Sequence, residues 1–416
     1  MYKSFNINNK IIDFVNNCES ELVNDFKQVN AIYEHNQLKV LKSFIDCKIS
    51  ESCFQESTGY GYNDIGRDKI EELYSKVFNT EDALVRQQIV SGTHAIALAL
   101  FSLLKPNDSF LSITGIPYDT LHHTIGFKNE PGSLAELNIK FDCVDLINNK
   151  FDYECIKNRI NANTKLIMIQ RSRGYSSRKP ISINDIKEVC KFIKSIDNSI
   201  NILVDNCYGE FVNELEPTDV GCDIMCGSLI KNPGGSLAKS GGYIAGKKEL
   251  IELCSYRLTA PGIGKEVGTN FNQNRNVLQG LYLAPQIVKN SLLISKLYSY
   301  VLNKLNYQTV PKYGDEISDI VISIFTKGKD ELIKICKVIQ ETSPVDSFVK
   351  PESNYMPGYE NQVIMAAGCF VSGASIELSC DAPIREPYIA FLQGGINYFQ
   401  GKLALMKIIS ELDLLK

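Results

Sequence analysis

One lysine decides what chemistry this chain could perform. Lys231 ends the run Cys226-Gly-Ser-Leu-Ile-Lys231 and is followed by Asn232, Pro233 and two glycines, so an apolar strand delivers its ammonium to a turn where backbone can approach a ligand. Burial of that kind lowers a lysine pKa, and a neutral lysine amine attacks carbonyls to form a Schiff base. A solvent-facing lysine at a strand end is the plainer alternative, and only its surroundings can separate the two.

Three further tracts bear on that choice. Val90-Ser91-Gly92-Thr93-His94-Ala95 carries a strand end into a helix of small residues, where free amides and hydroxyls suit a phosphate; a plain helix cap at Ser91 or Thr93 accounts for the same residues. Ile202-Leu-Val-Asp205 sets an acid at the end of a strongly apolar strand, either as a cap or as the partner of a protonated ring nitrogen. Tyr118, in Ile116-Pro117-Tyr118, would lie over a flat ring bound there, and Ser228 adds a hydroxyl three positions before Lys231. In chain order these give a phosphate cradle, an aromatic, an acid, and a lysine 26 positions after the acid.

The elements that must position them read as an α/β protein. Short apolar runs near 83–90, 110–113, 139–144, 166–169, 202–204 and 223–230 alternate with helical stretches, the pattern of a mainly parallel sheet covered on both faces. Ahead of them Ile11, Ile12, Val15, Leu22, Val23 and Phe26 recur at helical spacing, an arm over 1–58 whose apolar face has no sheet of its own and suits a subunit interface. The large domain is expected over 59–285. A long helix after Gly268 leads to a smaller α+β domain over 286–416, with strands near 317–325 and 362–370, a helix near 331–341, a loop over 342–359 and a terminal helix over 388–412.

Composition excludes several partners. The 44 Lys+Arg against 48 Asp+Glu leave no basic excess for a nucleic acid, and no apolar run reaches the roughly 18 residues of a membrane span. Thirteen scattered cysteines and a polar N-terminus read as reduced thiols in a cytoplasmic protein. Four histidines without metal-site spacing point to no metal. Gly241-Gly-Tyr-Ile-Ala-Gly246-Lys247-Lys248 lacks the Ser or Thr of a P-loop and reads as a strand running into a helix. His122 and His123 have no evident partner acid.

Taken together, Gly59-Tyr-Gly-Tyr-Asn-Asp-Ile-Gly-Arg67-Asp68, Ser91-Gly-Thr-His-Ala95, Pro117-Tyr-Asp-Thr-Leu121, Gly227-Ser-Leu-Ile-Lys-Asn-Pro-Gly-Gly235 and Pro383-Ile-Arg-Glu-Pro-Tyr388 resemble fold-type I pyridoxal-phosphate enzymes of Cys/Met metabolism. The closest likeness is to the methionine gamma-lyase family group that includes aluminium resistance proteins and is related to the cystathionine lyases, and it covers nearly the whole chain. The resemblance implies a fold-type I large domain. It implies pyridoxal phosphate joined to Lys231, Asp205 at the ring nitrogen, phosphate contacts from Ser91, Gly92, Thr93 and Ser228, and stacking by Tyr118. It implies a homo-oligomeric carbon-sulfur lyase, a dimer or tetramer, acting on a sulfur-containing amino acid by cystathionine beta-lyase or methionine gamma-lyase like elimination, with an aminotransferase, a desulfurase or a non-catalytic metabolite sensor as alternatives.

Two departures from the cystathionine lyases concern the substrate side. Their Tyr-x-Arg segment, which reaches a neighbouring subunit's phosphate, is replaced here by Tyr60 and Tyr62, with the nearest arginine at Arg67. Their carboxylate-binding arginine before a Leu-Ser pair is replaced by Glu377 before Leu378-Ser379. Arg385 is the first candidate to take over that role and Arg173 the second, because a planar guanidinium binds a carboxylate bidentately.

Overall fold

The computed structural model describes residues 1–60, 64–128, 130–356 and 359–415. The larger sheet contains β1 (Asp82–Arg86), β2 (Ser109–Ser112), β3 (Lys140–Cys143), β4 (Thr164–Gln170), β5 (Asn201–Asp205), β6 (Ile224–Ser228) and β7 (Gly242–Gly246). Their order is β1-β7-β6-β5-β4-β2-β3, with β7 antiparallel to both its neighbours and the other pairings parallel. These strands are continuously apolar because both faces are covered. Ile167 and Ile169 of β4 enter one core while Leu166 and Met168 enter the other, and β5 divides Ile202 and Val204 from Leu203 in the same way.

Helices cover the two faces of this sheet. Helix α3 (Ile65–Val77) begins where Asp64 Oδ1 accepts a bond from the Arg67 amide at 3.0 Å, and it buries Ile70, Leu73 and Tyr74 in the first core. On the other face α4 (Gly92–Leu103) buries Ala95, Ile96 and Ala99, small residues that let it lie close to the sheet. The stretch 241–248 is a strand followed by the helix Lys248–Leu258, as the reading without a nucleotide loop required.

The smaller sheet is antiparallel, with order β10-β11-β12-β9-β8, from β8 (Thr309–Val310), β9 (Val321–Phe325), β10 (Val363–Ala367), β11 (Ser379–Pro383) and β12 (Ile389–Gln393). Ile322, Ile324, Ile364, Cys380, Ala390 and Leu392 enter a core shared with the helices Lys329–Glu341 and Tyr398–Glu411. The alternate residues Val321, Ile389 and Phe391 face the other way and pack against Tyr175 and Tyr208 from loops of the larger sheet. A cleft lined by both sheets results. The long helix Asn274–Lys304 ties them together, giving Val277 and Leu281 to the first core and Leu297 and Val301 to the small-sheet core.

Two expectations are corrected. The run expected as one terminal helix over 388–412 divides into β12 and the helix Tyr398–Glu411, because Ile389-Ala-Phe-Leu-Gln393 pairs between β9 and β11 before Gly394 and Gly395, both at positive φ, break the strand. The arm forms α1 (Asn9–Glu21) and α2 (Val23–Asp46), but the apolar face of α1 is not left for a neighbour. Ile11, Val15 and Cys18 are buried in the small-sheet core, while Val29 and Val40 of α2 join the large one.

Candidate active site

Lys231 sits three residues past the end of β6, with its Nζ 4.1 Å from the centroid of the Tyr208 ring. Tyr208 holds a left-handed backbone at φ +71°, a conformation that costs a bulky residue about 1–3 kcal/mol. The Ile320 amide secures it by donating to the Tyr208 carbonyl at 3.2 Å. Burial pulls the Lys231 pKa down, but Cys207, Tyr208 and Asp205 around it outweigh burial and hold it well above the ordinary lysine value. The expectation of a lowered pKa is therefore corrected. Desolvation was the one effect considered from the sequence, and the acidic ring about the ammonium is the larger effect.

Asp205 ends β5 and is buried, with Oδ1 accepting from the Cys207 amide at 3.1 Å. That bond realises the capping alternative for one oxygen, and the Cys207 thiol also interacts with the carboxylate. Burial raises the Asp205 pKa against the opposing pull of Lys231. On the neighbouring strand Gln170 Oε1 accepts from the Tyr118 amide at 3.0 Å, while the Tyr118 hydroxyl lies 3.0 Å from Thr93 Oγ1. The ring of Tyr118 is thereby tethered at both ends.

The backbone packs tightly at Gly92 at the start of α4: a Cβ there would stand 3.1 Å from Cys207 Sγ and 3.3 Å from Ser228 Cβ. The turn after β5, the end of β6 and the amino end of α4 thus meet at one point. Ser91 Oγ accepts from the His94 amide at 3.0 Å, the plain cap, and Thr93 Oγ1 is engaged by Tyr118 and Thr120. The Gly92 and Thr93 amides and the Ser228 hydroxyl have no hydrogen bond among the described residues. Anion-binding capacity therefore lies in those amides and that hydroxyl, and the Ser91 hydroxyl, which only accepts from His94, keeps its own proton to donate.

The opposite wall comes from the smaller sheet. Asp381 on β11 accepts at Oδ2 from the Tyr175 hydroxyl (3.0 Å) and from Gln393 Nε2 (2.8 Å). Burial raises its pKa, while those two bonds and the charge of Lys231 draw it back. The Tyr175 ring packs against Tyr359 and Phe391, and the Ser375 and Ser379 hydroxyls are buried without partners. Arg385 is exposed and donates from Nη2 to the Tyr175 carbonyl at 3.2 Å.

Several candidates fall elsewhere. Arg173 is fully buried and donates from Nη1 to the Val310 carbonyl (2.6 Å) and Ser323 Oγ (3.2 Å), with Nη2 3.4 Å from Asp319. Its guanidinium clamps the turn after β4 to β8 and β9, so its candidacy for a substrate carboxylate is corrected. Arg67 is turned inward, with Nη1 donating to the Gly59 carbonyl at 3.3 Å, and does not extend toward a neighbour. Tyr60 is 91% exposed, and Tyr62 lies outside the described residues. Glu377 accepts from the Phe370 and Val371 amides at 2.8 and 3.0 Å, a loop-holding role that an arginine could not fill. His123 does have an acid partner, Glu130 at 2.9 Å on the surface, and His122 Nε2 lies 2.8 Å from the Pro117 carbonyl.

Sequence reasoning missed Tyr208, Asp381 and Arg178. Arg178 donates from Nη2 to the Gln170 and Ser172 carbonyls at 2.7 and 2.6 Å, and burial lowers its pKa to about 10. Nothing in the local sequence sets Arg178 or Tyr208 apart. The alternation Ser379-Cys-Asp381 in an antiparallel strand was the available signal for Asp381.

The convergent groups fit pyridoxal phosphate. Two free amides at a helix start suit its phosphate, a tethered aromatic its ring, a buried carboxylate its ring nitrogen, and an amine its aldehyde carbon. Among the described residues no cluster of His, Cys, Asp or Glu could hold a metal, and no helix is long and apolar enough to cross a membrane.

Comparison with known proteins agrees with this geometry. The family model described as methionine gamma-lyase matches residues 11–413. The uncharacterized protein YnbB of Bacillus subtilis (strain 168) is 47% identical over 95% of this chain and 94% of its own length. The crystal structure of a carbon-sulfur lyase involved in aluminium resistance from Clostridium novyi NT superposes with a TM-score of 0.94 at 46% identity, over 99% of this chain and 97% of that one. Cystathionine gamma-lyase from yeast, at 18% identity and a TM-score of 0.58 over 83% of this chain and 86% of that one, shares the fold.

Proposed function

The chain belongs to the methionine gamma-lyase family, and from that membership we propose that it is a pyridoxal-phosphate-dependent lyase breaking the carbon-sulfur bond of an amino acid, by beta elimination of a cystathionine-like thioether or gamma elimination of methionine. Pyridoxal phosphate, when bound, supplies an electron-withdrawing ring that acidifies the α C–H of the amino acid joined to it. Lys231 holds the cofactor at rest. Displaced by the substrate amine, Lys231 would take the α proton as general base. Asp205, buried at the end of β5, would meet the ring nitrogen and keep it protonated. The Gly92 and Thr93 amides and the Ser91 and Ser228 hydroxyls would hold the phosphate, with Tyr118 against the ring. The carbon-sulfur electron pair would depart with sulfur, and the Lys231 ammonium formed by taking the α proton would return that proton to it as the thiol leaves; gamma elimination would require a further proton to be taken from the β carbon first. Arg385 at the cleft mouth takes the substrate carboxylate.

The observation that carries this reading is the meeting of Gly92, Cys207 and Ser228 beside Lys231 and Asp205, which brings an anion cradle, an acid and an amine from distant parts of the chain into one pocket. A homo-oligomer belongs to the same reading. Tyr60, Ile65, Val90, Ile116 and Phe271 are all exposed, and Val90 and Ile116 adjoin the site tracts in sequence, so an apolar rim is open to a second subunit. The decisive assay incubates the yellow purified protein with cystathionine, methionine and cysteine, and measures thiol or sulfide together with keto acid. Release of both supports the lyase. Keto acid formed only with an added keto-acid acceptor and without thiol would make it an aminotransferase, and neither product from any of these amino acids would remove the enzymatic reading.

A further inference from the structure

Tyr208 takes no part in the steps assigned to Lys231 and Asp205, yet its ring is what the lysine rests on. Among the described residues Lys231 Nζ makes no hydrogen bond and no ion pair, and the centroid of the Tyr208 ring lies 4.1 Å from it. An ammonium over an aromatic face is drawn to the ring's quadrupole, whereas a neutral amine gains little there, so the contact favours the protonated lysine. Position 208 is an unusual place for a tyrosine. Its backbone is left-handed at φ +71°, where glycine or asparagine is the relaxed choice. The ring is nevertheless fixed from the other sheet: the Ile320 amide donates to the Tyr208 carbonyl at 3.2 Å, and Val321, Ile389 and Phe391 pack against the side chain.

We propose that Tyr208 is a positioning residue for Lys231, its ring holding the lysine as an ammonium in the cleft between the proton taken from the α carbon and the proton given to sulfur. This inference rests on the lyase reading given above. During that interval Lys231 is free of the cofactor and carries the proton, and the lysine is only half-buried, so a mobile ammonium could pass the proton to water. The aromatic face tethers the charge without taking the proton, because it offers no lone pair to receive it, and the proton stays available to the leaving sulfur. The smaller sheet thereby sets the position of a base that belongs to the larger one, through the ring it packs against.

The rate at which the full-length protein, freed of cofactor, takes up pyridoxal phosphate reads the charge on Lys231, because only the neutral amine attacks the aldehyde. The growth of the yellow absorbance is followed across a pH series. Asp205, Glu210 and Asp381, the Cys207 thiol and the Tyr118 and Tyr359 hydroxyls also act on this lysine. They and the cofactor's own ionisations are the same in every form, so a shift on substitution at 208 reports the ring. Tyr208→Leu removes the face and should move the uptake profile down by about one pH unit, giving uptake about tenfold faster than the wild type at neutral pH. Tyr208→Phe keeps the face without the hydroxyl and should follow the wild type. With a thioether substrate Tyr208→Leu should lose about tenfold in kcat with KM little changed. Loosened packing would slow both uptake and turnover, whereas loss of the ring's hold speeds one and slows the other. Tyr208→Asn, which suits the left-handed backbone, is a second ring-free variant should Tyr208→Leu not fold. An uptake profile or a kcat that coincides with the wild type in a ring-free variant, or Tyr208→Phe behaving as Tyr208→Leu does, overturns the proposal. The shifted profile in a protein that releases no thiol from any thioether would leave the ring's hold on Lys231 standing and refute the lyase reading alone.

Discussion

The two walls of the cleft hold their functional groups by different means. On the large-domain wall the groups ride on backbone turns: Asp205 ends β5, Lys231 follows β6, and the free amides belong to the first turn of α4. On the small-domain wall Asp381 and Gln393 are side chains standing on a pleated face, one per strand, and Arg385 sits on the exposed connection between β11 and β12. A turn at the end of a buried parallel strand is fixed by the whole sheet behind it. A side chain on an antiparallel face can be exchanged without disturbing the ladder that carries it. The first arrangement suits chemistry that must not vary and the second suits recognition that can.

The sharpest way to test that division is to remove one group from each wall. Lys231→Ala should lower turnover by about three orders of magnitude or more, since a positioned general base alone is worth about 10²–10⁴-fold and this lysine also anchors the cofactor. The cooperative unfolding transition should persist, because Lys231 lies in a turn outside β6 and fills no core. Retention of a borohydride-reducible lysine adduct at the wild-type level would show that another residue holds the cofactor.

On the opposite wall Arg385→Ala should act mainly on KM. Arg385 is exposed and its hydrogen bond to the Tyr175 carbonyl is a neutral-acceptor contact that solvent screens, so the expected rise is about tenfold, with kcat and the cofactor absorbance little changed. If KM for every amino acid tested stays at the wild-type value, the carboxylate is received elsewhere on this wall, with the unpartnered Ser375 and Ser379 hydroxyls next in line.

The same division explains what the sequence disclosed. Ser91-Gly-Thr93, Asp205 and the tract around Lys231 are contiguous motifs because a strand-end turn gathers its chemistry within a few residues, and the alternation of apolar runs around them reported the parallel sheet. The second wall left no such trace. Asp381 is recognised as cleft-facing only once β11 and β12 are paired, and β12 itself was hidden inside an apolar run that reads equally well as helix. Arg173 and Arg67 misled for a related reason: as sequence they are free cations, and only the fold shows that Asp319 and the Val310 and Gly59 carbonyls have claimed them. The effect of acidic neighbours on Lys231 was likewise beyond reach, since it arises from residues brought together by the turn at Cys207 and Tyr208.

A smaller effect separates the two acids, one half-buried and one fully buried, that flank Lys231 without taking part in the reaction. Asp381 is held at Oδ2 by Tyr175 and Gln393, whereas Glu210 is sealed behind the lysine turn: Tyr243 donates to its Oε1 at 2.8 Å, Asn232 Nδ2 to its carbonyl at 2.9 Å, and Oε2 is buried without a partner. Burial is the main cause that raises its pKa from 4.5 to about 8, with nearby Glu216 adding to the rise and Tyr243 and Lys231 opposing it. Between those values the folded protein keeps the Glu210 proton and the unfolded chain has lost it. The folded state then binds more protons, so stability falls as pH rises through this window, by at most about 1.4 kcal/mol per pH unit, and levels off above the folded pKa. Glu210→Gln retains an oxygen for Tyr243 and cannot ionise, so its denaturant midpoint should gain steadily on the wild type from about pH 5 to about pH 8 and run parallel beyond. Curves that stay parallel across the whole range would mean that Glu210 is ionised in the fold, and that the acid behind Lys231 is as open to charge as the one in front of it.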